Sequence, residues 1–269
     1  MPSYETNSIA LATFNDILSR YETYVPSKLL ELDRFRYSTL PQALTHRPDR
    51  RLDPSEVVQL VEWKLKHGTF RPKLLNLVRG NSDEAIERTT KEAFAHLDLE
   101  SEDVSVTKAL AIVTRLSGVG PATGSLLLSI YRPDAIPFFS DELFRWCLWD
   151  KPGKAGTRGW QRKIDYNAKH YEMLVQEFDL LKKRLNVSAL DAERVAWVLG
   201  KEQVDIDAEG QEEDVDAVDQ SAGDNEDKQE EDTPTDGLKS KKRKAEISEE
   251  LNELPRGATR KSSRRKLKS

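Results

Sequence analysis

Apolar residues recur at three- and four-residue intervals through most of the first 200 positions, and strict alternation is scarce, so the chain predicts helices rather than strands. Within 8–20, Ile9, Leu11, Phe14, Ile17 and Leu18 fall on one stripe. Pro54-Ser55-Glu56 opens a strong helix carrying Val57, Val58, Leu60, Val61 and Leu65, and Gly68 closes it. Pro72 starts a short helix with Leu74, Leu75 and Val78. Asn81-Ser82-Asp83-Glu84 has N-capping character ahead of a helix that reaches Leu97, and 104–114 forms another, ending near Arg115. Past a glycine turn, 121–131 reads as an apolar helix. Residues 160–185 read as a long amphipathic one, with Ile164, Ala168, Tyr171, Leu174, Val175, Phe178, Leu181 and Leu185. The last spans 188–199 and is opened by Ser188. The expectation is an all-α domain of roughly ten helices over 1–200, without internal repeats.

Composition changes abruptly at Lys201. Residues 201–238 hold 16 acidic and 2 basic side chains, residues 239–269 hold 12 basic and 4 acidic, and 1–200 is nearly neutral; the net charge of -5 averages three unlike pieces. The acidic stretch has few apolar and no aromatic residues, so it is expected to be a disordered linker. The basic tail, also expected to be disordered, carries two clusters, one with Lys241, Lys242, Arg243 and Lys244, the other with Arg264, Arg265 and Lys266. Such clusters read as a bipartite-like nuclear localisation signal, with an import receptor as partner and the nucleus as location. A solvated tail without a receptor is the plainer alternative, and contact with DNA is compatible with either.

A single cysteine, Cys147, excludes an intramolecular disulfide, a cysteine-ligated iron–sulfur cluster and a multi-cysteine zinc site. His46, His67, His96 and His170 share no metal-ligand spacing and are expected at surfaces or helix ends, so neither metal nor cofactor is expected. No secretory leader is visible in MPSYETNS, and no apolar run approaches membrane-helix length, so no membrane partner is expected.

The most informative segment is Leu116-Ser117-Gly118-Val119-Gly120-Pro121-Ala122-Thr123-Gly124. A helix ends, two glycines turn the chain, and Pro121 stands where the next helix begins, a position that needs no N–H. Free amides at that helix start, backed by the helix dipole, form an anion site, and Gly118 and Gly120 would let a DNA backbone approach. Val119 between them would pack inward. A tight turn between core helices is the alternative. Taken as a phosphate site, the DNA-contacting set is Gly118, Val119, Gly120, Ala122 and Thr123.

The stretch from Leu116 to Arg145 resembles the helix-hairpin-helix signature of the endonuclease III-like DNA glycosylase superfamily. That pattern places an aspartate about 20 residues beyond the second glycine, and Asp141 in Phe138-Phe139-Ser140-Asp141-Glu142-Leu143 lies 21 beyond Gly120. Val61 to Pro72, read with the Gly-Val-Gly-Pro-Ala-Thr run, is similar to the Amun family of eukaryotic nuclear proteins. The resemblance implies a two-lobed helical fold enclosing a cleft, base flipping, and a carboxylate, Asp141, that stabilises an oxocarbenium-like sugar as the N-glycosidic bond breaks. Alternatively Asp141 caps the helix that follows, with Ser140 as a rival cap, or is anchored by an ion pair with Arg145. Two departures bear on chemistry. Ala122 stands where bifunctional members carry a nucleophilic lysine, which implies a monofunctional enzyme without hairpin-lysine lyase activity. Glu-Leu-Phe follows Asp141 where Thr-His or similar is common.

Lys151-Pro152-Gly153-Lys154-Ala155-Gly156-Thr157-Arg158-Gly159 is a glycine-rich basic loop, either a plain connector or a DNA-backbone contact through Lys151, Lys154 and Arg158. The five tryptophans are expected in the core, with stacking on a flipped base the less common use. The leading functional expectation is a duplex-binding helix-hairpin-helix protein acting as a DNA N-glycosylase in base-excision repair. A non-catalytic chromatin or DNA-binding protein and a protein-interaction module are the alternatives.

Overall fold

In a computed structural model of the chain, the structure describes residues 3–68, 71–98 and 102–207. The acidic stretch beyond Asp207, the basic tail and both localisation clusters lie outside the described residues. Those described are helical, with no strand among them. The helices are α1 (Leu11–Ser19), α2 (Tyr21–Tyr24), α3 (Leu30–Arg34), α4 (Leu40–His46), α5 (Pro54–His67), α6 (Pro72–Arg79), α7 (Asp83–Leu97), α8 (Glu102–Val113), α9 (Pro121–Tyr131), α10 (Asp141–Cys147), α11 (Ala168–Leu185) and α12 (Ala189–Glu202). None is long and apolar enough to cross a membrane.

The central element is α9. Every residue from Ala122 to Ile130 is buried, which is why this helix is apolar all round rather than on one stripe. It packs against α4, α5, α7, α8 and α11. Gly124 makes the contact with α8 possible, because a Cβ there would lie 2.9 Å from Leu110 and 3.0 Å from Val113. A second set of contacts joins the two ends of the sequence: α1 and α2 pack on α12, α12 on α10, and α10 on α11. Trp146 Nε1 donates to the Tyr4 carbonyl at 2.8 Å, and Arg20 pairs with Glu202 at 3.0 Å, strapping the N-terminal segment to the C-terminal helices.

A polar knot links these contacts. A π-helical turn at Phe35–Thr39 carries Arg36 inward. Its Nη2 donates to Glu193 Oε2 on α12 at 2.6 Å and to Ser129 Oγ on α9 at 3.2 Å, while the Tyr37 hydroxyl donates to Glu193 Oε1 at 2.8 Å. Both charged side chains are almost fully enclosed. Burial pushes the Glu193 carboxyl up, and Arg36 and Tyr37 offset part of that shift.

Most local signals act where the pattern places them. Ser82 accepts from the Ala85 amide to open α7, Ser188 accepts from Asp191 to open α12, and Glu56 accepts from the Asp53 amide to open α5. Two expectations need correction. Leu11 does not join the α1 stripe; it is 46% exposed, and the buried line runs Ile9, Phe14, Ile17, Tyr21. The helix expected over 160–185 begins only at Ala168. Tyr166 has φ 48°, which breaks a helix, and the Asn167 side chain accepts from the His170 amide as the true cap. Residues 160–165 instead wrap the buried Arg162, whose Nη1 donates to the carbonyls of Leu148 (2.9 Å) and Lys151. Between 20 and 50 the chain folds as short helices punctuated by Pro26, Pro41 and Pro48, which the hydrophobic pattern alone does not reveal.

Candidate functional site: a cleft beside the glycine hairpin

The C-terminal turn of α5, the start of α9, the start of α10, Tyr166 and the last turns of α12 surround a cleft of about 520 Å³. It brings Gly118, Gly120, Ala122 and Thr123 of the hairpin together with Asp141, the expected carboxylate.

The two hairpin glycines have different reasons to be glycine. Gly118 adopts φ 77°, and a Cβ there would meet Leu77 Cβ at 2.9 Å and Val78 Cγ2 at 3.0 Å, so it serves the turn and the approach of α6. Gly118 also lines the cleft, and this packing role does not bear on whether a strand approaches its backbone. Gly120 has φ -90°, and a Cβ there would meet nothing within 4 Å; its missing side chain leaves open space. Val119 packs inward as expected, and its amide donates to the Leu116 carbonyl at 3.1 Å. The Thr123 amide is likewise used, donating to the Gly120 carbonyl at 3.0 Å. That leaves the Gly118, Gly120 and Ala122 amides, for which no acceptor occurs among the described residues.

Asp141 is delivered by a braced segment. The Phe139 amide donates to Ser125 Oγ of α9 at 2.9 Å, and the Tyr171 hydroxyl to the Pro137 carbonyl at 3.1 Å. Ser140, not Asp141, caps α10, accepting from the Leu143 amide at 3.1 Å, so the capping alternative for Asp141 falls away. Asp141 is the first residue of α10. Its Oδ1 accepts from the Tyr166 hydroxyl at 2.6 Å and its Oδ2 lies 3.4 Å from Arg145 Nη2, the ion pair that the four-residue spacing allows. Burial and the Asp141 charge push the Tyr166 hydroxyl well above the ordinary phenol range, so it stays a donor. Next to Asp141, burial pushes the Glu142 carboxyl up as well. The two neighbouring carboxyls therefore sit in unlike surroundings, one held by two donors, the other shifted upward by burial.

The opposite wall carries residues that pattern reading did not single out. Lys64 lines the cleft, and burial, reinforced by Arg71, lowers its ammonium from the ordinary lysine value, with Asp141 working the other way. Beside it the His67 ring is stacked 4.5 Å from Trp63 and lies 3.6 Å from Trp197. Burial, with Arg36 and Lys201 repelling a proton, holds this imidazole well below its ordinary value, so it is neutral. His67 is indeed the last residue of α5, but its side chain faces the cleft rather than solvent. Lys201 Nζ stands 4.0 Å over the Trp197 ring, and the Arg71 guanidinium 5.7 Å from the Tyr166 ring at the cleft rim. A signal for Lys64 does exist in the sequence: it follows Val57, Leu60 and Val61 at helical spacing, a lysine on an apolar face.

The basic loop lies elsewhere. Lys151 is paired with Glu177 and Lys154 with Asp165 at 2.6 Å, and neither these lysines nor Arg158 line the cleft. Cys147 is buried, and burial pushes its thiol up, so it is no nucleophile. Among the described residues one trio of carboxylates, Glu5, Asp150 and Asp207, has ligand atoms within 4.8 Å of one another, but none of them lines the cleft.

No protein-family model, no curated protein and no solved structure matches the chain.

Proposed function

We propose that the protein is a nuclear duplex-DNA-binding protein of the helix-hairpin-helix kind, and that its cleft performs monofunctional N-glycosidic cleavage. The observation that carries this reading is the convergence of open Gly120 and Ala122 amides and the Asp141 carboxylate on one cleft. A phosphate docked at the start of α9 would hold the strand by backbone contacts. A nucleotide turned out of the stack would then enter between the hairpin and α12, with its sugar towards Asp141. As the base departs, positive charge develops on the sugar, and a fixed carboxylate stabilises it. Tyr166 and Arg145 would orient Asp141 for that task. No lysine stands on the hairpin, so cleavage would leave an abasic site without strand scission from that position. The reading also includes a finer fold assignment, a glycosylase-like pair of lobes around the cleft, and nuclear import through the two basic clusters of the tail.

A non-catalytic DNA-binding role is the second reading, and one contact favours it: both Asp141 oxygens are already engaged within the protein. Full-length protein incubated with duplexes bearing deaminated, oxidised, alkylated or mismatched bases separates the two. Abasic sites that form with the wild type and vanish with Asp141→Asn support the enzyme. Binding without excision across the panel selects the second reading, and no binding even at low salt refutes both.

A further inference from the structure

Buried indole N–H groups in this protein find acceptors. Trp63 donates to Asp33 Oδ1 at 3.0 Å, Trp146 to the Tyr4 carbonyl at 2.8 Å and Trp160 to the Val204 carbonyl at 2.8 Å. Trp197 departs from that pattern. It is 3% exposed, its Nε1 is enclosed, it lines the cleft, and no acceptor meets it among the described residues. His67 Nε2, on the adjoining ring, is enclosed and unpartnered in the same way. A buried donor left without an acceptor is destabilising, so a ligand that supplies one gains affinity by pairing it.

The charges around these two rings limit which ligand fits. Aromatic faces attract cations, but here those faces are already taken: Lys201 sits 4.0 Å over Trp197, and the Arg36 guanidinium 4.8 Å over Trp63. Lys64 and Arg71 add positive charge to the wall. On the acidic side, Asp141 is engaged by Tyr166 and Arg145, and burial pushes the Glu142 carboxyl up from its ordinary value. Of the ionisable side chains that line the cleft, Lys64, Arg71 and Lys201 outnumber Asp141 and Glu142, so the lining offers donors and an excess of positive charge.

We infer that the inner end of the cleft recognises a neutral, carbonyl-bearing base, an oxo-purine or oxo-pyrimidine that accepts from Trp197 Nε1, and rejects cationic N-alkylated bases. A ring carbonyl oxygen would take the indole N–H, and the neutral His67 would supply a second donor or acceptor according to its tautomer. A cationic N-alkylated base such as N3-methyladenine carries no ring carbonyl for the indole N–H and adds positive charge to a lining that already has more cations than anions, and a site built to hydrogen-bond its ligand discriminates strongly against one that leaves its groups unpaired. The inference rests on the DNA reading above and narrows it to one class of base.

The test uses full-length protein and duplexes of one sequence carrying a single hypoxanthine, uracil or N3-methyladenine. Each target sugar bears a 2′-fluorine, which slows cleavage so that affinity alone is read. The expected result is about tenfold tighter binding of the hypoxanthine and uracil duplexes than of the methyladenine one, the equivalent of one hydrogen bond at about 1.4 kcal/mol. In Trp197→Phe, which keeps a ring and removes the N–H, that preference should collapse. Equal or tighter binding of the methylated duplex, or a preference unchanged in Trp197→Phe, overturns the inference. Should no duplex bind at all, the DNA reading fails by itself. Free hypoxanthine titrated into nitrogen-15-labelled wild-type protein then decides the inference: a shift of the Trp197 indole resonance upholds it, and a stationary resonance overturns it.

Discussion

Replacing each hairpin glycine with alanine should damage the protein in two different ways. At position 118 the new methyl must occupy a backbone with φ 77° and lie 2.9 Å from Leu77 Cβ and 3.1 Å from the Val78 nitrogen. The left-handed conformation costs an L-residue roughly 1–2 kcal/mol. The collision with α6, part of it against backbone, adds about 1–3 kcal/mol of overpacking. Gly118→Ala should therefore lose about 2–5 kcal/mol, which at a urea dependence of about 2 kcal/mol per molar lowers the unfolding midpoint by roughly 1–2.5 M. At position 120 the backbone is extended and the space is empty, so alanine meets no strain. Gly120→Ala should fold as well as the wild type or gain up to about 1 kcal/mol through a less flexible unfolded chain. Its methyl, however, would stand where a strand must approach the Gly120 and Ala122 amides, and losing one charge-assisted hydrogen bond of about 1.5 kcal/mol weakens duplex binding roughly tenfold. Urea unfolding followed by tryptophan fluorescence and duplex titration at low salt read the two effects separately. If Gly120→Ala binds duplex as tightly as the wild type, the open amides do not hold DNA. If Gly118→Ala unfolds at the wild-type midpoint, the packing argument is wrong.

Breaking the buried pair with Arg36→Met or Glu193→Leu alone should cost about 3–5 kcal/mol by leaving an uncompensated charge, whereas the double replacement recovers most of it; urea midpoints of the three variants check this. Ser140→Ala should cost about 1 kcal/mol by uncapping α10, a loss seen in the same unfolding assay. Glu142 has a raised folded-state pKa, so its contribution to stability is intact in acid and declines as pH rises through that value. Glu142→Gln should therefore be more stable than the wild type near neutral pH and equal to it in acid, and a difference independent of pH refutes the assignment. Deleting 239–269 should abolish nuclear accumulation of a fluorescently tagged protein in a eukaryotic cell, read by microscopy.

Sequence pattern located those elements whose ends carry local chemistry. Ser82, Ser188 and Gly68 mark helix boundaries through their own hydrogen bonds or conformation, and those boundaries stand within a few residues of the expected positions. The start of α11 escaped because Ile164 continues the apolar period of that helix while Tyr166, an ordinary aromatic in the sequence, takes a left-handed backbone that only tertiary contacts can stabilise. The pairing of the hairpin with Asp141 was legible only through the resemblance, whose pattern places an aspartate about 20 residues beyond the second glycine. The opposite wall was not. Lys64, His67, Trp197 and Lys201 meet because α5 and α12 both converge on the cleft from positions more than a hundred residues apart, and no local period encodes that meeting. Charge on an apolar face was the remaining clue: Lys64 and Glu193 both interrupt such faces, and Glu193 proves to be enclosed while Lys64 is half-buried at the cleft.

The Arg36–Glu193 contact joins positions 157 residues apart, and Trp197 lies one helical turn beyond Glu193. During synthesis the hairpin, Asp141 and the α5 wall therefore all exist before the chain can close the far side. A protein cut short before the final helix would keep the amides proposed to hold a strand and lose the surface proposed to judge what the strand presents. Arg36 would then wait in a half-finished interior with no carboxylate to meet it, so a nonsense change anywhere upstream of position 193 should yield a product that is cleared rather than one that binds indiscriminately.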